Sequence, residues 1–172
     1  MPAKMDEKTE IVISIRRWQP RDAAVCRVLY REGLIGGVIA ESDTGIDIDD
    51  IATAYIQVPG NHFWVAENSD AEVVGMIGVQ HHEAGVGEIR RLRVRQDLRR
   101  KGIGSKLLET AIRFCNDNGH LKIMLDTFID RDPAIKLFEK FNFRHQRTRT
   151  VNGKEFLYFY LDIYGGQERK RG

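Results

Sequence analysis

Leu92-Arg93-Val94-Arg95-Gln96-Asp97-Leu98-Arg99-Arg100-Lys101-Gly102-Ile103-Gly104-Ser105 is the stretch whose reading decides the fold. It runs from a strand, through a basic loop, into the start of a helix. The helix behind it carries Ile103, Leu107, Leu108, Ala111, Ile112 and Cys115 as one apolar stripe. A helix N-terminus presents unpaired N–H groups and a partial positive charge. Gly102 and Gly104 have no Cβ, so an anion can approach the backbone closely. Between residues 88 and 106 the bases Arg90, Arg91, Arg93, Arg95, Arg99, Arg100, Lys101 and Lys106 are opposed only by Glu88 and Asp97. The stretch reads as a place for a phosphate or pyrophosphate.

Upstream, Ile11 to Trp18 is a β-branched strand candidate. Pro20 and Asp22 open a helix that Gly33 can end, and Gly36-Gly37 is a break before the loop Glu41 to Gly45. Ile48, Ile51, Ala52, Tyr55 and Ile56 recur at the spacing of a short amphipathic helix, stopped by Pro59-Gly60-Asn61. Strands at 62–67, 73–80 and 87–94 are joined by turns short enough to imply antiparallel hairpins. Downstream, Asn118-Gly119 ends the helix, 121–128 is a strand, and Asp132-Pro133 opens a helix that buries Ala134, Leu137, Phe138 and Phe141. Strands 143–150 and 155–163 flank Asn152-Gly153, a strong hairpin signal. The order β-α-α-β-β-β-α-β-α-β-β makes a mixed, mostly antiparallel α/β sheet with helices on both faces.

Two phosphate-binding patterns fit poorly. A Walker loop needs four residues between its glycines, and here one separates Gly102 from Gly104. The dinucleotide fingerprint needs a third glycine where Leu107 stands, and a second βαβ half is missing. Arg99-x-x-Gly102-x-Gly104 after Leu92-x-Val94 instead resembles motif A of the GNAT superfamily of N-acetyltransferases. The element order extends the resemblance from Ile11 to Ile163. It implies acetyl-CoA as cosubstrate, with its pyrophosphate on the amides of Arg99, Arg100, Lys101, Gly102, Ile103, Gly104 and Ser105. It also implies a pantetheine arm paired along the backbone of Leu92, Arg93 and Val94. The family's next motif matches at Ala134 and Phe143 but departs at Arg131, Phe138 and Asn142. Phe138 stands where the family often has a tyrosine that protonates the leaving thiolate. A thiol with pKa about 8.5 departs without full protonation.

The resemblance implies direct attack by a primary amine, assisted by a base and by a backbone N–H near Leu92 to Val94. Glu88 is the first candidate base and Asp126 the second. A salt bridge with Arg90, Arg91 or a neighbour is the competing reading of Glu88, and a loop or cap contact that of Asp126. His81-His82 is a strand-end pair of which at most one can face the site. Tyr158 and Tyr160 read as packing residues. No His/Cys/Asp cluster has metal spacing. The basic run lacks interleaved aromatics, which argues against nucleic acid. Two substrate cues disagree. Glu41, Asp43, Asp47, Asp49 and Asp50 would draw a cationic amine, whereas Arg144, Arg147, Arg149 and Lys154 would suit one bearing a carboxylate. A catalytically silent acyl-CoA-binding module is the alternative reading, motivated by Phe138.

The composition frames these readings. With 172 residues, 42% hydrophobic and 30% charged, the chain suits one globular domain, taken as 11–164 between polar tails at 1–10 and 165–172. A net charge of +2 is too small to imply nucleic acid or an anionic membrane. No apolar run approaches the ~18 residues of a membrane span, and the N-terminal residues have no apolar core of a signal peptide. Cys26 and Cys115 read as buried free thiols, which suits a reducing, cytoplasmic setting. Open sheet edges are compatible with a homodimer.

Overall fold

In the computed structural model, residues 11–33, 43–128 and 132–163 are described. The tails expected at 1–10 and 165–172, Gly36-Gly37, Glu41-Ser42 and Arg131 lie outside them.

The strands are β1 (Ile13–Arg17), β2 (His62–Asn68), β3 (Val73–Glu83), β4 (Val86–Val94), β5 (Lys122–Phe128), β6 (Arg144–Val151) and β7 (Lys154–Asp162). The helices are α1 (Ala23–Glu32), α2 (Ile46–Asp49), α3 (Ile103–Asp117) and α4 (Asp132–Lys140). Sheet order is β1-β2-β3-β4-β5-β7-β6, so the last hairpin enters with β7 against β5 and leaves β6 as the edge. Among the described strands every pairing is antiparallel except β4 with β5. That parallel pairing runs only from Val86 opposite Lys122 to Glu88 opposite Met124. Beyond it β4 continues to Val94 along β3 and β5 to Phe128 along β7 without pairing each other, and the sheet opens between them.

A bulge helps to aim β4 away. Ile77 faces both Arg91 and Leu92, since Met76 pairs Arg93 and Gly78 pairs Arg90, and Arg91 takes a positive φ of 60°. An extra residue in one strand bends it and sharpens its twist.

Each face of the sheet has its own core. α3 and α4 lay Ile103, Leu107, Leu108, Ala111, Ala134 and Phe138 against Ile77, Ile89, Leu92, Leu125 and Phe159. On the opposite face Cys26, Leu29, Ile48, Ile51 and Tyr55 cover Phe63, Val65 and Met76. That second cluster draws its strand residues from β2 and β3 alone.

The helix expected through Ile48 to Ile56 is two pieces, α2 and a π-helical turn at Ala52–Ile56. Asp50 separates them at φ −143°, ψ 77°. Its carboxylate accepts the Thr53 N–H at 3.1 Å and the Thr53 hydroxyl at 2.7 Å, so it caps a new turn instead of continuing the old one. The apolar periodicity still holds, because Ile48, Ile51 and Tyr55 are all buried.

Candidate active site

The basic loop folds as expected into an open cradle. Arg100 and Gly102 take positive φ of 62° and 81°, and Gly102 caps α3. A Cβ on Gly102 would meet nothing within 4 Å, so the ground beside the first amides of α3 is open. A cavity of about 320 Å³ there is lined by Val94, Leu98, Arg99, Arg100, Gly102, Ile103, Gly104 and Ser105, joined by Pro133 and Leu137 of α4. Most of the expected cofactor loop therefore gathers at one place. Lys101 flanks it without lining it, and the α4 wall comes from residues the loop itself does not reveal.

The rest of the basic run does not form the single patch its sequence suggests. Successive strand residues point to opposite faces. Arg91 crosses to Asp43 and Asp47 on the α2 side. Arg93 lies over the Tyr30 ring with its guanidinium carbon 5.6 Å from the centroid, and donates to the carbonyls of Tyr30 and Leu92. Arg95 pairs with Asp97 and Glu72. Among the run's bases, Arg99 and Arg100 are those that line the cradle.

The open edge of β4 also has a definite polarity. Arg95 N–H bonds the Val74 carbonyl in the β3 ladder at 2.7 Å. By the two-residue alternation of an antiparallel ladder, Arg93 faces β3 as well, while the amides of Leu92 and Val94 point toward the gap. The Val94 N–H already donates to the Gly33 carbonyl at 3.0 Å, where α1 ends. Leu92 therefore presents the amide aimed into the gap, and Arg93 is not part of that edge.

Glu88 stands where β4 and β5 part. Its side chain is 25% exposed, and His82 Nδ1 lies 3.5 Å from its Oε2. Burial pushes its carboxyl up, with nearby Asp126 adding to the rise, while Arg90, His82 and Arg91 pull the other way. Of the salt-bridge partners weighed for Glu88, the one within ion-pair distance is a neighbour, His82, while Arg90 donates to Gln80 Oε1 at 2.9 Å and Arg91 pairs with Asp43 and Asp47. Asp126 is exposed two residues beyond Met124, the partner of Glu88, so both carboxylates share a face. His82, not His81, is the histidine on that face. Its parity with Glu88 along the hairpin is the signal that finds it.

Phe138 is 6% exposed and packs against Phe143 and Phe159, so it belongs to the core. Cys26 and Cys115 are free and buried, and burial pushes both thiols up to about 12, which keeps them inert. Among the described residues no group of three or more His, Cys, Asp or Glu side chains could hold a metal, and no helix is long and apolar enough to cross a membrane.

A single parallel strand pair among the described strands parts after three registers, and α3 starts just beyond the C-terminal end of β4. The model of the Acetyltransferase (GNAT) family matches residues 39–143, more than half of the chain, and the chain belongs to that family. Similar curated proteins include the probable N-acetyltransferase camello of Xenopus laevis, 36% identical over 100 residues, 57% of this chain and 45% of that protein. Human N-acetyltransferase 8 is 33% identical over 103 residues, again 57% of this chain and 45% of the relative. The N-acetylaspartate synthetase of Xenopus tropicalis is 35% identical over 58% of this chain and 36% of its own length. The chain thus spans under half the length of these relatives. Among solved structures, a GNAT-family acetyltransferase from Staphylococcus aureus superposes with TM-score 0.75 at 20% identity, over 88% of this chain and 99% of that one. The ribosomal-protein-S18-alanine N-acetyltransferase of Escherichia coli gives 0.70 at 16% identity, over 88% and 94%. At these identities the likeness is one of fold.

Proposed function

We propose that this chain transfers an acetyl group from acetyl-CoA to a primary amine by direct attack of the amine. The observation that carries this reading is the placement of Glu88 beside the gap between β4 and β5, with the cradle at the start of α3 facing the same gap.

The residues fit the cosubstrate. The open ground beside Gly102 and the aligned amides through Ser105 suit a pyrophosphate, with Arg99 and Arg100 as its cationic partners and Lys101 alongside. Acetyl-CoA supplies a thioester whose carbon accepts the nitrogen and whose sulfur leaves. The Leu92 N–H donates to the oxygen on which charge develops. Glu88 takes the proton that the amine sheds as the new C–N bond forms, and Asp126, exposed on the same face, is the second carboxylate within the approach path. His82, half exposed beside Glu88, gives that proton a way to water. Phe138 offers no proton, so the thiolate leaves unassisted or takes one from solvent. The family membership and the names of the relatives, all N-acetylating proteins, support the reaction class. The reading includes a reducing, cytoplasmic setting, supported by the two buried thiols.

Calorimetric titration with acetyl-CoA, beside NAD and ATP, tests the cradle. Binding selective for acetyl-CoA and lost in Gly104→Glu is the expected result. Absence of acetyl-CoA binding overturns the reading.

A further inference from the structure

The acetyl-transfer reading leaves the acceptor open, and the two sequence cues to it disagree in sign. The fold resolves them. Asp43 and Asp47, which as sequence would attract a cationic amine, are both held by the Arg91 guanidinium, and Asp47 also accepts the Tyr55 hydroxyl at 2.5 Å. Asp50 is turned onto Thr53. Asp43 and Asp47 are thus engaged inside the fold, two carboxylates on one guanidinium, and the acids that segment leaves exposed are Asp49, 4.0 Å from Arg27, and Asp50.

The basic hairpin is placed differently. Directly opposed residues of neighbouring strands share a face. Asp126 is opposite Tyr158, and Tyr158 is opposite Arg147. Met124, the partner of Glu88, is opposite Tyr160, and Tyr160 is opposite Arg144. Glu88, Asp126, Arg144 and Arg147 thus stand on one face. Strands lie about 4.8 Å apart, so Arg147 is about 10 Å from Asp126 at the backbone, with Tyr158 as the floor between them. The Arg147 guanidinium is stacked on that floor, 4.6 Å from the ring centroid. Stacking fixes the cation and leaves its in-plane N–H groups free to donate. Among the described residues neither Arg144 nor Arg147 has a carboxylate partner. The apolar cluster that covers β2 and β3 on this side does not reach β5, β7 or β6. Edge strands often carry charge to discourage pairing. Arg147 folds back over β7 instead of standing off the edge.

We propose that the acceptor is an amine bearing its own carboxylate, of the α-amino-acid class, and that Arg147, backed by Arg144, holds that carboxylate while Glu88 and Asp126 face the amine. The inference rests on the acetyl-transfer reading.

The test measures thiol release from acetyl-CoA with the coded L-amino acids, each beside its α-amide, which keeps the amine and removes the negative charge. The expected result is a kcat/KM about 10- to 100-fold higher for the preferred acid than for its amide, expressed mainly in KM. Arg147→Ala brings the acid down to the level of the amide, and Arg147→Lys retains part of the preference. Equal use of acid and amide, or a preference that survives Arg147→Ala combined with Arg144→Ala, overturns the carboxylate site and leaves acetyl transfer standing. Absence of thiol release with every amine overturns both.

Discussion

Arg91 Nε lies 2.9 Å from Asp47 Oδ2, an ion pair that spans 44 residues of sequence and ties the bulge of β4 to α2. Both partners are buried, at 8% exposure each, and Asp43 completes the cluster. Removing one member of such a cluster strands charge inside the protein, at about 3–5 kcal/mol. Arg91→Met is therefore expected to lower stability by that order in chemical denaturation. A change below about 1 kcal/mol would contradict the account.

The same cluster sets an acid limit. Arg91 and the hydrogen bonds around it hold the Asp43 and Asp47 carboxyls below their ordinary value, against the opposing effect of burial. Groups with depressed folded pKa contribute stability above the unfolded pKa, near 3.9, and lose it as pH falls through the folded value. Unfolding midpoints should drop below about pH 4, and the drop should shrink in Asp43→Asn combined with Asp47→Asn.

Glu88 acts as a base only when ionised, and its carboxyl is raised mainly by burial. The acid limb of kcat/KM should therefore lie above the ordinary glutamate range. Glu88→Gln should remove the limb and lower kcat about 10²- to 10⁴-fold. A Glu88→Gln enzyme with full activity across pH would move the base to Asp126, which Asp126→Asn then tests.

His82 pulls the Glu88 carboxyl down while it is protonated. His82→Gln should thus shift the acid limb of Glu88 to higher pH. A pH–rate profile identical to that of the unaltered protein would show that the two groups are not coupled.

Arg99 and Arg100 line the cradle. Arg99→Ala with Arg100→Ala should raise KM for acetyl-CoA about tenfold or more. KM for S-acetylpantetheine, which has no pyrophosphate, should stay unchanged. Equal losses on both donors would place these arginines elsewhere in the reaction.

How much of this was legible in the sequence varies by residue. The start of α3 was, because Gly102, Gly104 and the stripe from Ile103 to Cys115 are local signals. The gap itself was not, since it depends on β4 pairing β5 for three registers and then bending at Arg91. The fates of Arg91, Asp43 and Asp47 were hidden for a related reason. A bulge turns Arg91, together with Arg93, onto the Tyr30 ring, and the carboxylates that hold Arg91 are remote in sequence. The order of β6 and β7 carries no local signature either, yet it decides that Tyr158 and Arg147 line up with Asp126. Asp50 breaking the helix was visible in principle, as an Asx cap three residues before Thr53.

The central claim is that this chain acetylates amines from acetyl-CoA across the gap between β4 and β5. Its most direct test is amine-dependent release of free thiol from acetyl-CoA, with the product weighed by mass spectrometry. The account predicts thiol release matched by an N-acetylated amine, abolished by Gly104→Glu and strongly reduced by Glu88→Gln. Bound acetyl-CoA that yields no thiol with any amine, or release undiminished in Gly104→Glu, would contradict it.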